Sequence, residues 1–585
     1  MKNAHQSDLP INRSQIIDSL PLFSGLSFFE KRLIASKSRV VEYEKGHDIY
    51  QEGDAPDYFY CMVNGRAEMY HPPSKTKRRG RLSIECVRRG DYFGSISSLT
   101  GHPHSVSAKA INDSAVLIIK QKEFDYILKK VPKLAVFLSR SLSRRLSKKP
   151  VKRVFESTIV SVYGVEEGAG SSRYAQALAE SIRNESGKKV LLIRSASIPN
   201  KKDVSRKLSA FAEDHHFVIV DVPEGLSGLN LEVLKQSDRC HIICPSDRMS
   251  LCRAESLIKQ LRRALGRGGA LEVSVMIKED PFYPKSSYEE RSNILSREVS
   301  ASLPSDRQGY ERALRRTARE LSGVMTGLVL GSGAAMGLAH IGVLKVLEDE
   351  KIPIDVISAT SIGALIAALW AAGLSARKIE RFMSSFKSRL KVLSLIDPTF
   401  PVRGLIKGNT VRNILKRYLG NKKFSDARFP LKIVACDIKK RREVIIEKGR
   451  LVDAVMASIA IPGVFEPVVL KNNVHLVDGG IVNPLPVSCL SRAGLKRIIA
   501  VNTLPSPDDM VRIERNKLNI YDIIVNSFQT MEYSLSEYSC QQADVYLHPI
   551  PLADWYEFYK AKSFIRAGTD CARRMLPKIK NLVKS

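Results

Sequence analysis

The sequence predicts a multidomain chain that begins with a β-roll flanked by helices, continues with an α/β module and ends with a second α/β domain. Three observations support this division. Short β-branched and aromatic runs separated by glycine turns fill much of residues 1–150. A buried-strand pattern that enters a glycine-rich turn and a helix opens residues 151–325, and two further strand–turn–helix units follow in residues 326–585. A length of 585 residues is ample for three such domains.

The chain is strongly basic. It has 92 Lys and Arg residues against 61 Asp and Glu residues, a formal net charge of +31. The excess is densest in residues 401–450, where 15 basic residues accompany 4 acidic ones. Such a chain is attracted to anionic surfaces, either acidic lipid or nucleic acid. Because the sequence contains no recognised nucleic-acid-binding module, we expect an anionic membrane surface as partner and no nucleic acid; a solvated basic face is the alternative.

The cysteines and the N-terminus bear on localisation. The nine cysteines form no CxxC pair, which predicts neither a zinc site nor a disulfide framework and favours a reducing compartment. The first ten residues, MKNAHQSDLP, lack the apolar core of a signal peptide. We therefore expect a cytoplasmic protein that is peripheral on the inner membrane surface, with no metal.

The first domain is predicted from its turn spacing. Glycines at positions 46, 53, 65, 90 and 94 punctuate short strand patterns in residues 39–120. Helical patterns flank this block at Phe28–Lys37 and Lys122–Lys148. The basic run Arg144–Arg153 follows and is predicted to be a linker.

These residues resemble the cyclic-nucleotide-binding domain family. The resemblance rests on Gly46, the Gly53–Asp54 pair, Tyr58–Gly65 and the stretch Gly90–Ala108 (GDYFGSISSLTGHPHSVSA). In that family a glutamate after the FG pair holds the ribose, and an arginine after the proline holds the cyclic phosphate.

In this chain the cassette consists of Gly94, Ser95 and His104, with Ser95 at the glutamate position and His104 at the arginine position. Histidine does not supply the permanent bidentate charge of arginine. We therefore predict a degenerate site that does not bind cyclic nucleotide and serves packing or dimerisation; a functional nucleotide site is the alternative.

The middle domain shows three strand patterns, Ser157–Tyr163, Phe217–Pro223 and Arg239–Pro245, the first of which runs into a glycine-rich turn and a helix. This layout resembles the MinD/ParA class of P-loop ATPases. That class needs a lysine in the loop, and Ser171 stands at its position. We predict a degenerate P-loop-like module with a structural role and no ATPase activity, followed by a polar linker around Pro281–Arg307.

The last domain opens with a strand, Thr326–Leu330, that runs into the turn Gly331-Ser332-Gly333-Ala334-Ala335 and a helix, Leu338–Glu350. Backbone N–H groups at such a turn can hold a phosphate or a developing oxyanion. A dinucleotide-binding fold is the alternative, but it requires an acid at the end of the next strand, and Asp355 begins that strand instead.

A second unit has the strand Ile354–Ala359, the turn Thr360-Ser361-Ile362-Gly363 and a helix over 364–372. This is the setting of a nucleophile elbow, with Ser361 as the nucleophile and Gly363 beside it; Ala359 stands where a glycine is usual. The unit also accounts for the apolar stretch 356–374 as a buried strand and helix, so that no membrane helix is predicted there.

A third unit, His475–Val487, reads HLVDGGIVNPLPV and ends a strand at Asp478. An acid in this place can act as the base for a serine. His548 lies downstream, and chain order alone therefore leaves a Ser361–Asp478–His548 triad open.

Together these segments resemble the patatin-like phospholipase family over roughly residues 320–500. The motifs are GLVLGSGAAMGLAHIGVL, IPIDVISATSIGAL, FPLKIVACDI, DAVMASIAIPGVFEPV and LVDGGIVNPLPV. A cyclic-nucleotide-like domain ahead of them further resembles lysophospholipases of the neuropathy-target-esterase type. The resemblance implies a Ser361–Asp478 dyad without histidine, an oxyanion hole at Gly331–Ala335, and no cofactor. Ser332 and Ala334 replace glycines of the family turn, and Met336 replaces its cation.

The expected function is that of a serine hydrolase. It would cleave fatty-acyl esters of phospholipids or lysophospholipids through an acyl-enzyme formed on Ser361. The alternative is a membrane-associated regulatory scaffold with an inactive patatin domain.

Overall fold

The computed structural model describes residues 16–17, 20–72, 82–88, 90–111, 113–147, 157–265, 271–280, 288–297, 299–399, 404–470, 473–506, 520–549 and 556–584. The chain divides into two compact units, Met1–Ala318 and Arg319–Ser585. The first unit contains both the β-roll and a six-stranded parallel sheet, and the second contains an eight-stranded mixed sheet. The predicted boundary at residue 150 lies outside the described residues.

The β-roll consists of two antiparallel four-stranded sheets, in the orders β1-β8-β3-β6 and β2-β7-β4-β5. Aromatic and β-branched residues on their inner faces form its core. The eight strands are β1 Ser38–Tyr43, β2 Asp48–Tyr50, β3 Tyr58–Asn64, β4 Arg66–His71, β5 Leu82–Arg88, β6 Tyr92–Phe93, β7 Ser107–Ala110 and β8 Ser114–Lys120. The helices are α1 Phe28–Lys37, α2 Ser95–Thr100, α3 Gln121–Lys130 and α4 Pro132–Ser147.

The rest of the first unit is a parallel sheet in the order β10-β11-β9-β12-β13-β14. Its strands are β9 Thr158–Gly164, β10 Val190–Arg194, β11 Phe217–Val222, β12 Arg239–Pro245, β13 Glu272–Lys278 and β14 Ala301–Leu303. Its helices are α5 Ser171–Ser186, α6 Val204–Asp214, α7 Gly228–Gln236, α8 Arg248–Leu265, α9 Tyr288–Ile294 and α10 Arg307–Ser322, of which residues 319–322 belong to the second unit.

The prediction of a linker around Pro281–Arg307 was wrong for residues 288–297 and 299–307, and residues 281–287 lie outside the described ranges. That stretch includes α9 and the edge strand β14, which pairs in parallel with β13. Two apolar side chains within it, Leu295 and Leu303, are fully buried, and Arg291 forms a buried ion pair with Glu279. A few buried contacts recruit the segment into the sheet although its composition is polar.

The second unit has strands in the order β19-β20-β17-β16-β15-β21-β22, with β18 paired to β17. The strands are β15 Thr326–Leu330, β16 Val356–Thr360, β17 Leu431–Asp437, β18 Arg442–Ile446, β19 Val468–Leu470, β20 Val474–Asp478, β21 Arg497–Val501 and β22 Val545–Leu547. The helices are α11 Ala339–Asp349, α12 Ile362–Ala371, α13 Ala376–Met383, α14 Arg389–Leu393, α15 Asn409–Leu419, α16 Leu451–Ser458, α17 Val487–Ser491, α18 Ile520–Cys540 and α19 Ala561–Lys584.

Strands β15 and β16 lie at the centre of this sheet and are buried along their whole length, as continuous apolar parallel strands are. All ten residues of α12 are buried as well. The apolar stretch 356–374 is therefore a strand and a core helix, as predicted. None of the helices within the described ranges is long and apolar enough to cross a membrane.

Asp355, which precedes β16, has a structural role. Its buried carboxylate accepts hydrogen bonds from Arg319 at 2.8 Å and from the backbone N–H of Thr326 at 2.9 Å. These bonds connect the end of α10 to the starts of two adjacent strands.

Candidate active site

Ser361 occupies the sharp turn between β16 and α12. Its backbone has φ 56° and ψ −127°, a conformation that costs a non-glycine residue free energy and is typical of functional turns. Gly363 makes the turn possible, because a methyl group on its Cα would overlap the carbonyl oxygens of Leu330 and Gly331. The helix can therefore start directly against the end of β15.

Asp478 ends β20, which pairs in antiparallel fashion with β17 through Ala435. The hydroxyl of Ser361 donates to Oδ2 of Asp478 at 2.6 Å. The backbone N–H of Gly480 donates to the other oxygen, Oδ1, at 2.8 Å. Burial raises the pKa of Asp478 from 3.8 to about 6, while the hydrogen bonds from Ser361 and Gly480 oppose that shift. A carboxylate with this pKa is a stronger base than an exposed aspartate.

The turn at Ser361 is held by a serine that the sequence patterns did not reveal. The N–H of Ser361 donates to Oγ of Ser458 at 2.9 Å, and Ser458 donates in turn to the carbonyl of Val434 at 2.6 Å. Ser458 is fully buried at the end of α16, whose other residues are mostly apolar. A lone serine after the apolar residues at the C-terminal end of this helix was the available signal.

The segment after Asp478 is connected to the same strand. Thr360 donates to the carbonyl of Asn483, and Ser358 donates to that of Pro486, both at 2.8 Å. These bonds fix the position of Asp478 relative to the end of β16.

The glycine-rich turn follows β15 at the same edge of the sheet. The N–H of Gly331 donates to Val501 at 3.0 Å, and that of Ser332 donates to Pro484 at 2.8 Å. Two of the five predicted oxyanion donors are thus engaged within the protein. Gly333, Ala334 and Ala335 stand at the start of a 3₁₀ turn, Ala334–Leu338, where N–H groups lack partners within the helix.

Ala334 adopts φ 46°, in the left-handed region. The backbone of this turn therefore requires positive φ at a position where the family has glycine, and alanine adopts it at an energetic cost.

His340 holds the first residue of the glycine-rich turn through a hydrogen bond. Its Nε2–H donates to the carbonyl of Gly331 at 2.9 Å, and burial lowers the pKa of His340 to about 4. The ring is therefore neutral at physiological pH and acts as a structural donor.

His548 lies beyond the end of β22, where its Nε2–H donates to the carbonyl of Leu504 at 2.8 Å. Ser361 and Asp478 contact each other directly, with no ring between them.

A second buried acid, Glu532, lies beside the turn. It belongs to α18, and its Oε2 accepts a hydrogen bond from the hydroxyl of Ser332 at 3.0 Å. Burial raises the pKa of Glu532 to about 8, and the negative charge of Asp478 contributes to the shift in the same direction. No motif surrounds Glu532 in the sequence, and it was not predicted.

The N-terminal cassette is closed by aromatic rings. Ser95 and His104 are each 3% exposed, and the ring of His104 stacks on Tyr50 with centroids 3.8 Å apart. Tyr60 and Phe93 complete the cluster. Burial lowers the pKa of His104, so that it offers no cation at neutral pH.

In the middle sheet, Ser171 is the first residue of α5, after the glycine-rich turn that follows β9. Glu166 of that turn accepts hydrogen bonds from Ser250 and Arg253. Over the described ranges, no group of three or more His, Cys, Asp or Glu residues could hold a metal ion.

Comparisons with known proteins identify two domain families in the chain. Residues 328–490 match the patatin-like phospholipase family, and residues 40–131 match the cyclic nucleotide-binding domain. The chain is 26% identical over 514 residues to human patatin-like phospholipase domain-containing protein 6, covering 78% of this chain and 37% of that protein. It is 24% identical over 523 residues to neuropathy target esterase sws of Drosophila melanogaster, covering 80% and 36% respectively.

An uncharacterised NTE family protein of Mycobacterium tuberculosis is 25% identical over 451 residues, covering 76% of this chain and 72% of its own. Among solved structures, the regulatory domain of Toxoplasma gondii PKA with cAMP is 20% identical over 23% of this chain and 49% of its own, with a TM-score of 0.21. The chain spans a little over a third of the length of the animal relatives it matches.

Proposed function

From a chain that contains a patatin domain and a cyclic-nucleotide-binding domain, we propose a serine hydrolase that cleaves fatty-acyl esters of phospholipids or lysophospholipids through a Ser361–Asp478 dyad. The observation that carries this proposal is the 2.6 Å hydrogen bond from Ser361 Oγ to Asp478 Oδ2, made from a strained turn. A nucleophile and a base in direct contact need no further residue to pass the proton.

In the acylation step, Asp478 takes the proton of Ser361 while Oγ bonds to the acyl carbon. Collapse of the tetrahedral intermediate breaks the ester bond, and Asp478 returns the proton to the departing alcohol. In the deacylation step, water gives a proton to Asp478 and attacks the acyl-enzyme. The fatty acid leaves, and Ser361 recovers its proton.

The negative charge on the acyl oxygen is stabilised by backbone N–H groups of the glycine-rich turn. Because Gly331 and Ser332 donate within the protein, the donors in this proposal are Gly333, Ala334 and Ala335. Each such donor contributes about 3 kcal/mol of transition-state stabilisation.

The test is hydrolysis of a chromogenic fatty-acyl ester by the full chain. Ser361→Ala and Asp478→Asn should each lose nearly all activity, and the double variant should lose little more, because members of a catalytic unit are not additive. Ser394→Ala, at an exposed serine in the same domain, is the matched control. Wild-type turnover equal to that of Ser361→Ala would make the domain an inactive scaffold.

His548→Ala decides between dyad and triad. Because His548 donates to a backbone carbonyl away from the pair, we expect most activity to survive. A variant as inactive as Ser361→Ala would establish the triad instead.

We also propose that an anionic lipid surface meets the basic turn between β17 and β18. In the register of the sheet, Thr360 lies opposite Val434, and β17 continues three residues further to Asp437. The exposed segment Ile438–Arg442 follows, with one apolar and four basic side chains. The basic turn therefore follows the C-terminal end of β17, which is the end of the parallel strands where Ser361 also lies and where a lipid ester must arrive.

A further inference from the structure

Glu532 lies on the buried face of α18, which is an unusual position for a carboxyl group in a surface helix. Helix α18 exposes Met531, Leu535 and Tyr538 on its outer face, while Glu532 and Ser536 are buried. Burial of an acid is unfavourable unless the group is hydrogen-bonded or neutral. Within the described residues, the carboxyl group of Glu532 accepts one hydrogen bond, from the hydroxyl of Ser332.

The carboxyl groups of Glu532 and Asp478 lie against the same glycine. A methyl group on Gly480 would overlap Oε1 of Glu532 and would lie 3.2 Å from Oδ1 of Asp478. The N–H of Gly480 is already donated to Asp478. Two buried carboxylates this close cannot both ionise without a cost in free energy. Asp478 is the base of the proposed reaction and is therefore the one that has to be ionised.

The titratable groups of α17, which packs against α18, are neutral or already paired, and Arg492 at the end of α17 pairs with Glu443 at 2.9 Å. On α17, the thiol of Cys489 lies 3.7 Å from Glu443, and burial raises the pKa of Cys489 to about 12. Below the glycine-rich turn, His340 is neutral and donates to Gly331. Asp478 is the charged group that acts on Glu532, and it is negative.

We propose that Glu532 is a positioning residue of the hydrolase site, which as a neutral acid holds the glycine-rich turn through Ser332 and closes the far side of Asp478. The proposal rests on the proposed function. When Glu532 loses its proton, it adds a second negative charge beside Asp478 and beside the turn where the oxyanion develops. Hydrolysis should then fall at alkaline pH, a limb that Ser361 and Asp478 alone do not produce.

The experiment measures kcat and KM of the full chain for a chromogenic fatty-acyl ester between pH 5 and pH 10. In the wild type, kcat/KM should fall on the alkaline side above about pH 8, the pKa of Glu532. Glu532→Gln, which stays neutral, should keep activity within about threefold at pH 7 and lose the alkaline limb. Glu532→Ala should lower kcat by about 10- to 100-fold with little change in KM, because the turn is misplaced.

Glu537→Gln, an exposed acid on the same helix, is the matched control and should reproduce the wild-type profile. Circular dichroism confirms that each variant is folded. An alkaline limb that persists in Glu532→Gln, or a wild-type kcat in Glu532→Ala, would overturn the proposal.

A second readout is independent of turnover. The raised pKa of Glu532 means that the native state holds this proton more tightly than the unfolded chain, so that stability is lost as pH rises from 4.5 towards 8. In a Ser361→Ala background, Glu532→Gln should remove part of that decline in Tm, and an unchanged decline would count against a neutral Glu532. If the wild type shows no hydrolysis that depends on Ser361, the proposed function is wrong, and the stability measurement still tests whether Glu532 is neutral.

Discussion

The carboxyl group of Asp478 has to be ionised before it can take the proton of Ser361. Burial raises its pKa to about 6, well above the ordinary value of 3.8. We therefore expect kcat/KM to rise with pH on the acid side and to level off above about pH 6 to 7. A pH–rate profile measures this limb. An acid limb near pH 4 would show that Asp478 is solvated during turnover and is not the buried base described above.

Ala334 provides a test of backbone strain at the turn. Because it adopts φ 46°, Ala334→Gly should raise the free energy of unfolding by about 1 kcal/mol. Activity should be retained, since the N–H group is unchanged. Urea unfolding measures the difference.

Ala335 is the matched control for that variant. It is the next residue in the same 3₁₀ turn and has no positive φ. Ala335→Gly should lower the free energy of unfolding by about 0.5–1 kcal/mol, because glycine there only adds freedom to the unfolded chain. Equal effects of the two substitutions would show that the sign of φ at Ala334 has no energetic consequence.

At the scale of elements, the β-roll should not respond to cyclic AMP. The family cassette holds its ligand with a glutamate and an arginine, and here Ser95 and His104 are buried at those positions beside stacked aromatic rings. Two lost charge-assisted contacts cost about 3–6 kcal/mol, which is about two to four powers of ten in affinity. Calorimetry of the full chain with cyclic AMP should detect no micromolar binding.

Micromolar binding would contradict this interpretation and would require the aromatic cluster to open. A double variant, Ser95→Glu with His104→Arg, restores both family residues and is the matched comparison. Binding by this variant alone would confirm that the two side chains decide the matter.

The β-roll also contacts the parallel sheet of the same unit directly. Arg66, 2% exposed, donates to the carbonyl of Ser157 at 2.6 Å and pairs with Asp238 at 3.2 Å. Asp113 accepts from Gln236, and Ser205 donates to the carbonyl of Asp113. These contacts connect the β-roll to the parallel sheet of the same unit, which agrees with a packing role for the first domain.

At the scale of the whole molecule, a net charge of +31 should draw the chain to acidic lipid. The structure allows the effect of the overall charge on membrane binding to be tested separately from the effect of one local basic surface. Replacing Lys439, Lys440, Arg441 and Arg442 by Gln removes four charges at the edge that carries Ser361. Each such residue near an acidic membrane contributes about 1 kcal/mol, and we expect binding to phosphatidylserine vesicles to weaken by at least about 100-fold.

The control variant replaces four exposed basic residues of α19, namely Arg573, Lys578, Lys580 and Lys584. This helix ends at the opposite edge of the same sheet, where Arg497 bonds to the carbonyls of Val324 and Val583. Vesicle co-sedimentation at low and high salt compares the two variants. Equal loss in both would mean that net charge alone governs binding, and salt-independent binding to neutral vesicles would remove the electrostatic account.

Much of the fold and part of the site follow from the amino-acid sequence by itself. The strand Thr326–Leu330, the turns at Ser361 and Asp478, and the buried strand–helix pair in 356–374 all lie where the local patterns placed them. These features depend on residues close together in sequence: apolar runs, small residues at sharp turns, and glycine where helix and strand approach. Local spacing is sufficient for them because the backbone has few ways to make such a turn.

The tertiary structure alone decided which groups are free to act. The N–H groups of Gly331 and Ser332 are occupied because Val501 and Pro484, although distant along the chain, lie beside them. Ser458 reaches Ser361 across 97 residues, and Glu532 reaches Ser332 across 200. Within the stretch predicted as a linker, residues 301–303 form strand β14 for the same reason. Such pairings arise from the packing of distant elements, for which sequence periodicity has no signal.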